Sequence, residues 1–174
     1  MANRLILNET SYHGKGAIQN IVHEVTSRSF KKALVVTDKD LIKFNVAQKV
    51  TALLDAAGLP YEIFDEVKAN PAVDVIKAGV AKFKASGADY LIAIGGGSPI
   101  DSAKAIGIII NNPEFSDVLS LEGVAPTHQN VCRLSPFPLP QVQPQKSRLT
   151  MSLPMKRKNA NLCAWTFTMC RQYR

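Results

Sequence analysis

No aspartate or glutamate follows Glu122, and no glycine follows Gly123. That acid-free stretch also holds all three cysteines, Cys132, Cys163 and Cys170, and the single tryptophan, Trp165. Six of the ten prolines stand at or beyond Pro126, so two compositions are joined near that residue. The cysteines lack C-x-x-C spacing, and neither a disulfide framework nor a zinc site is expected from them. His13, His23 and His128 are scattered without ligand spacing, which argues against a metal site built on them. No apolar run is long enough to span a bilayer. The opening residues mix Arg4, Asn8 and Glu9 with apolar ones, so no secretory leader is expected and a cytoplasmic location follows.

The net charge of +7 would ordinarily suggest a nucleic-acid or membrane partner. Its distribution removes that suggestion. Up to residue 127, 13 Lys and Arg face all 14 acids, so this segment is nearly neutral, with a slight negative excess. The other 8 cations lie in the tail. Such an arm could bind phosphates non-specifically, but it has few aromatics, and nucleic acid is not the expected partner.

Length suits one domain, or one domain with an appendage. Before Pro126 the chain alternates strand and helix patterns. Asn3 to Leu7 reads as a strand, followed by a turn at Gly14-Lys15-Gly16 and a helix from Ala17 to Ser27. Ala33 to Thr37 is a short β-branched run, which predicts a buried parallel strand. Val46 to Ala57 has helical spacing, Tyr61 to Phe64 is a third strand, and Val73 to Ser86 is helical, with Gly87 as its stop. Tyr90 to Ile94 is a fourth strand, and a helix from Pro99 to Ile110 follows. This alternation predicts an α/β fold with a Rossmann-like parallel sheet covered on both faces. Ligands in such sheets bind beyond the carboxyl ends of the strands.

One junction stands out. The apolar run Tyr90-Leu91-Ile92-Ala93-Ile94 enters Gly95-Gly96-Gly97-Ser98, and a helix opens on Pro99. Glycines let a backbone approach a bulky anion with no Cβ in the way. The unpaired N–H groups and positive end of the helix then favour a phosphate. A tight strand-to-helix turn is the plainer alternative, and the G-x-G-x-x-G fingerprint is absent. Ser98 lacks a G-x-S-x-G elbow and a His/Asp pattern, so it reads as a phosphate-binding hydroxyl rather than a nucleophile. Asp101, expected in the first turn, favours the helix dipole and could touch a cofactor. Asp38 follows the second strand, where it could hold ribose hydroxyls or simply cap the next helix. Asn70 precedes Pro71 and is held extended; it could aim its amide at a cofactor or belong to an ordinary turn.

Four segments carry a family resemblance: Leu5 to Thr10, Ala33 to Lys39, Asn70-Pro71, and Gly87 to Ser98. With Lys104 to Ile109, Asn111 to Phe115 and Ser120 to Gly123, they resemble the iron-containing, group III alcohol dehydrogenases from residue 1 to about 127. The resemblance implies an NAD-binding α/β domain over 1–127, continued in the family by a helical domain whose Asp and three His hold Fe²⁺. It implies that Asp38 holds the adenosine ribose, that Asn70 lies near the cofactor, and that Gly96, Gly97 and Ser98 cradle the pyrophosphate; Gly95 and Asp101 complete the candidate cofactor-binding residues. The family's metal ligands have no counterpart in this sequence. The implied reaction is NAD-linked interconversion of a small hydroxyaldehyde, such as lactaldehyde, and its diol, with no turnover expected from residues 1–127 alone. The remaining alternative is a fragment that binds nucleotide or dimerises through Asn3 to Leu7 without chemistry.

Past residue 127 the resemblance stops, and an unstructured tail over 128–174 is expected. The genetic code offers a reason. Joining the last base of each codon to the first two of the next, Gln141–Val142 gives Gly or Ser, Gln143–Pro144 gives Ala or Thr, and Gln145–Lys146 gives Glu or Lys. Under the same rule, Phe137 to Met155 can decode as Ile-Pro-Thr-Thr-Ala-Gly-Thr-Ala-Ala-Glu-Val-Thr-Ile-Asn-Tyr-Val-Ile-Thr-Asp, the segment the family carries next. A one-base shift of frame near Asn130 would produce this tail.

Overall fold

The computed structural model describes Tyr12, residues 16–69 and 71–115, and the backbone of three short strands at 134–138, 149–151 and 165–167. The strand expected at Asn3 to Leu7, with its dimer contact, lies outside the described residues. A 3-10 turn, Ala17–Gln19, leads into α1 (Asn20–Ser27), together filling the helix expected from Ala17. Then come β1 (Ala33–Val36), α2 (Lys39–Lys43), α3 (Gln48–Ala56) and β2 (Tyr61–Phe64). α4 (Val73–Ser86), β3 (Tyr90–Gly95), α5 (Gly97–Asn111) and β4 (Leu134–Pro138) follow.

The sheet has the order β2-β1-β3-β4, with every neighbouring pair parallel. Period-two alternation divides its side chains between two cores. Leu34, Val36, Leu91 and Ala93 pack with Ile76 and Phe83 of α4 and Ile100, Ala103 and Ile106 of α5. Ala33, Val35, Ile92 and Ile94 pack on the other face with Ile21 and Val25 of α1 and Val50 and Leu54 of α3. Both faces are therefore covered, and β1 and β3 consist entirely of buried residues. Removing a side chain such as Leu91 or Ile106 from water contributes about 1.5–3 kcal/mol. The chain winds from β1 outward to β2, then crosses back to β3 on the other side of β1. That reversal leaves a crevice at the carboxyl ends of β1 and β3.

Tyr90 opens β3 and is stacked on Phe30, with ring centroids 4.9 Å apart and planes 15° from parallel. Its hydroxyl is buried with no hydrogen-bond partner among the described residues. Burial first, and the neighbouring Asp89 charge second, push its pKa up to about 12. An unpartnered buried hydroxyl costs about 1–3 kcal/mol. Tyr90→Phe should therefore raise stability by about 1 kcal/mol at neutral pH, measured by urea unfolding. Between pH 10 and about 12 the folded hydroxyl keeps a proton that the unfolded one has lost, so stability falls as pH rises. The variant should lose that decline. Equal or lower stability at neutral pH would show that the hydroxyl finds a partner.

After residue 127 the structure describes the backbone of three short strands. β4 lies beside β3, while β5 (Leu149–Met151) and β6 (Trp165–Phe167) form a separate antiparallel pair. Without β4, the outer side of β3 would carry a row of unpaired backbone groups, which an extended segment satisfies. Pro136 and Pro138 suit the end of a sheet. Standing two apart, they withhold N–H groups on the same side, and proline is tolerated on edge strands. No helix among the described residues is long and apolar enough to cross a membrane.

Candidate nucleotide site

Asp38 leaves β1 extended, with φ −117° and ψ 162°, and its side chain accepts the Leu41 backbone N–H. The Oδ1 to nitrogen distance is 2.9 Å, so Asp38 is an N-cap and the capping alternative is realised. One carboxylate oxygen does this; a ribose hydroxyl would use the other. The cap starts α2, a five-residue helix that apolar spacing does not reveal because it spans little more than one turn.

Leu41 ties this cap to the glycine loop. At Gly95 φ is +143°, a conformation that side chains rarely adopt. A Cβ there would stand 3.0 Å from Leu41 Cδ1 and 2.7 Å from Pro99 Cγ. Residues far apart in sequence thus meet at the switch between β1 and β3. Gly96 is the N-cap of α5, with φ −82° and ψ −155°, and makes no side-chain cap. The helix begins at Gly97, two residues before the proline that the sequence suggested as its start. Gly97 and Ser98, both half-buried, are therefore in the first turn, where their N–H groups lack helical partners. A Cβ on Gly97 would find no described atom within 4 Å, so the backbone there is open to an incoming group.

The earlier start moves Asp101 to the fifth helical position, out of the first turn. There it pairs along the helix with Lys104, whose Nζ lies 3.2 Å from Oδ1. Burial pushes the Asp101 carboxyl above its ordinary value, and Lys104 opposes that shift. Its established contact is this ion pair. Asn70 lies outside the described residues. The structure therefore brings together Asp38, Gly95, Gly96, Gly97 and Ser98. It adds Leu41, for which the Asp-x-x-Leu spacing of a capped turn was the available signal.

A shallow groove of about 100 Å³ between α4 and α5 is lined by Lys77, Val80, Lys84, Ile109 and Pro113. It contains none of the residues of the glycine turn or its cap, since Ile109 lies near the other end of α5 and Pro113 just beyond it. Among the described residues, no group of three or more His, Cys, Asp or Glu is placed to hold a metal ion.

A parallel sheet covered by helices on both faces, with its strand order reversing at β1 and β3, is a Rossmann-like α/β domain. The profile of the iron-containing alcohol dehydrogenases matches residues 8–138, and the chain belongs to that family. It is 58% identical over 129 residues to the lactaldehyde reductase of Escherichia coli K12, covering 74% of this chain and 34% of that enzyme. Among solved structures, 1,3-propanediol oxidoreductase superposes with a TM-score of 0.80 at 23% identity, over 95% of this chain and 42% of the other. NADH-dependent butanol dehydrogenase A from Thermotoga maritima gives 0.57 at 30% identity, over 62% and 28%. The chain thus spans about a third of the length of the E. coli enzyme it resembles.

Proposed function

We propose that this chain is the nucleotide-binding portion of an NAD-linked oxidoreductase of the lactaldehyde reductase type. The reaction would interconvert lactaldehyde, or a similarly small hydroxyaldehyde, with its diol. The observation that carries the nucleotide reading is the meeting of Asp38 with the glycine turn at the sheet's switch point, over the first turn of α5. The pyrophosphate would sit on the N–H groups of Gly97 and Ser98, and the adenosine ribose on Asp38. The substrate class rests on the identity to lactaldehyde reductase.

Fe²⁺ in this family is a Lewis acid for the substrate oxygen. No ligand set for it stands among the described residues, and no step through iron is assigned to them. Residues 1–127 are read as the dinucleotide-binding domain. Residues 128–174 are read as out of frame, which the decoding of Phe137 to Met155 supports. On this reading the chain binds nucleotide without turnover.

Gly97→Asp separates binding from folding. The position has room, and an acid in the first turn suits the helix dipole. Thermal stability should hold or rise slightly, while NAD⁺ affinity, measured by calorimetry, falls at least about tenfold through repulsion of the phosphates. Undiminished affinity would place the pyrophosphate elsewhere.

A further inference from the structure

The crevice holds a second carboxylate that the sequence did not single out. Asp38 forms an isolated backbone bridge with Glu66, in the loop after β2. The bridge is antiparallel, a separate contact beyond the parallel β1–β2 ladder, which ends with Val36 beside Phe64. Residues directly opposite each other carry their side chains on one face, with Cβ atoms about 4.5–5.5 Å apart. Glu66 is exposed and Asp38 half-buried.

We propose that Glu66 is a specificity residue of the ribose subsite, excluding cofactors that carry a 2′-phosphate. The inference rests on the assignment of the adenosine ribose to Asp38. A free 2′-hydroxyl can donate to a carboxylate, whereas a 2′-phosphate brings further negative charge beside two acids. Asp38 alone leaves one route for such a ligand, because its Oδ1 is already engaged by Leu41 N–H and the group could shift toward β2. Glu66 stands on that side. Lys39 and Lys68 are exposed nearby in sequence and act in the opposite sense. The pairing of Glu66 with Asp38, rather than the number of acids, is what makes it effective.

The test is the ratio of NADP⁺ to NAD⁺ dissociation constants for the full chain at low ionic strength, where exposed charges are least screened. Glu66→Gln should narrow that ratio about fivefold, and Glu66→Lys should narrow it further. Asp74→Asn, at an exposed position in the first turn of α4, supplies a control of equal charge change and should leave it alone. Since Glu66 is exposed, all three variants should keep the parent far-UV circular dichroism. An unchanged ratio in both Glu66 variants overturns the inference while leaving the cofactor site intact. The same shift in Asp74→Asn overturns it in favour of general charge. If the parent chain binds neither nucleotide, the ribose assignment itself fails, and this inference with it.

Discussion

Gly95→Val is expected to abolish nucleotide binding and to destabilise the fold by about 2–4 kcal/mol. Two independent effects add at this position. The φ of +143° is strained for any residue with a Cβ, and more so for a β-branched one. The new side chain would also meet Pro99 Cγ at 2.7 Å and Leu41 Cδ1 at 3.0 Å. Pro99 is a ring in the first turn of α5 and cannot retreat cheaply, while the Leu41 side chain would have to turn away from the loop. The strain therefore passes directly into both halves of the proposed site. Calorimetry with NAD⁺ should detect no binding, and urea unfolding should give a lower midpoint with a similar slope. Parent-like stability would show that the loop can take another conformation.

Gly79→Leu should produce a loss of similar size, about 3 kcal/mol, by a different route. Gly79 lies in the middle of α4 and is buried. A Cβ there would run into Ile106 Cδ1 of α5 and come within 3.2 Å of Phe64 Cε1. In an exposed helix, replacing glycine would gain up to about 1 kcal/mol in propensity. Here overpacking outweighs that gain, because Ile106 is fully buried between α4 and the sheet. Ile106→Ala in the same chain tests the cause. If Gly79→Leu costs less on that background than on the parent, the collision is confirmed; strict additivity would place the damage elsewhere.

Where the sequence was legible, each element announced itself by local chemistry. The span of α4 is the one its 3.6-residue spacing predicts, from Val73 to Ser86, with Gly87 as its stop. β1 and β3 are short apolar runs, and the ends of β1, β2 and β3 agree within a residue. The glycine turn was visible because three consecutive glycines exceed what a simple turn requires. What escaped was short or non-local. α2 has too few residues to show a period, and only the capping geometry of Asp38 reveals it. Proline suits a first turn, so the sequence points to Pro99 as the start of α5, yet Gly97, two residues earlier, is already helical. Glu66 has no local signature, since its position beside Asp38 comes from a single backbone bridge between segments distant in sequence. β4 was hidden for a related reason. A proline-rich segment does not read as a strand until the unpaired side of β3 is available to it.

The central claim is that a dinucleotide lies across the carboxyl ends of β1 and β3. Titration of isotope-labelled chain with NAD⁺, followed through backbone amide resonances, tests it residue by residue. The account predicts that the largest changes fall on Leu41, Gly95, Gly96, Gly97 and Ser98, with Lys77, Lys84 and Ile109 unmoved. Changes confined to the α4–α5 groove, or none at saturating nucleotide, would contradict it.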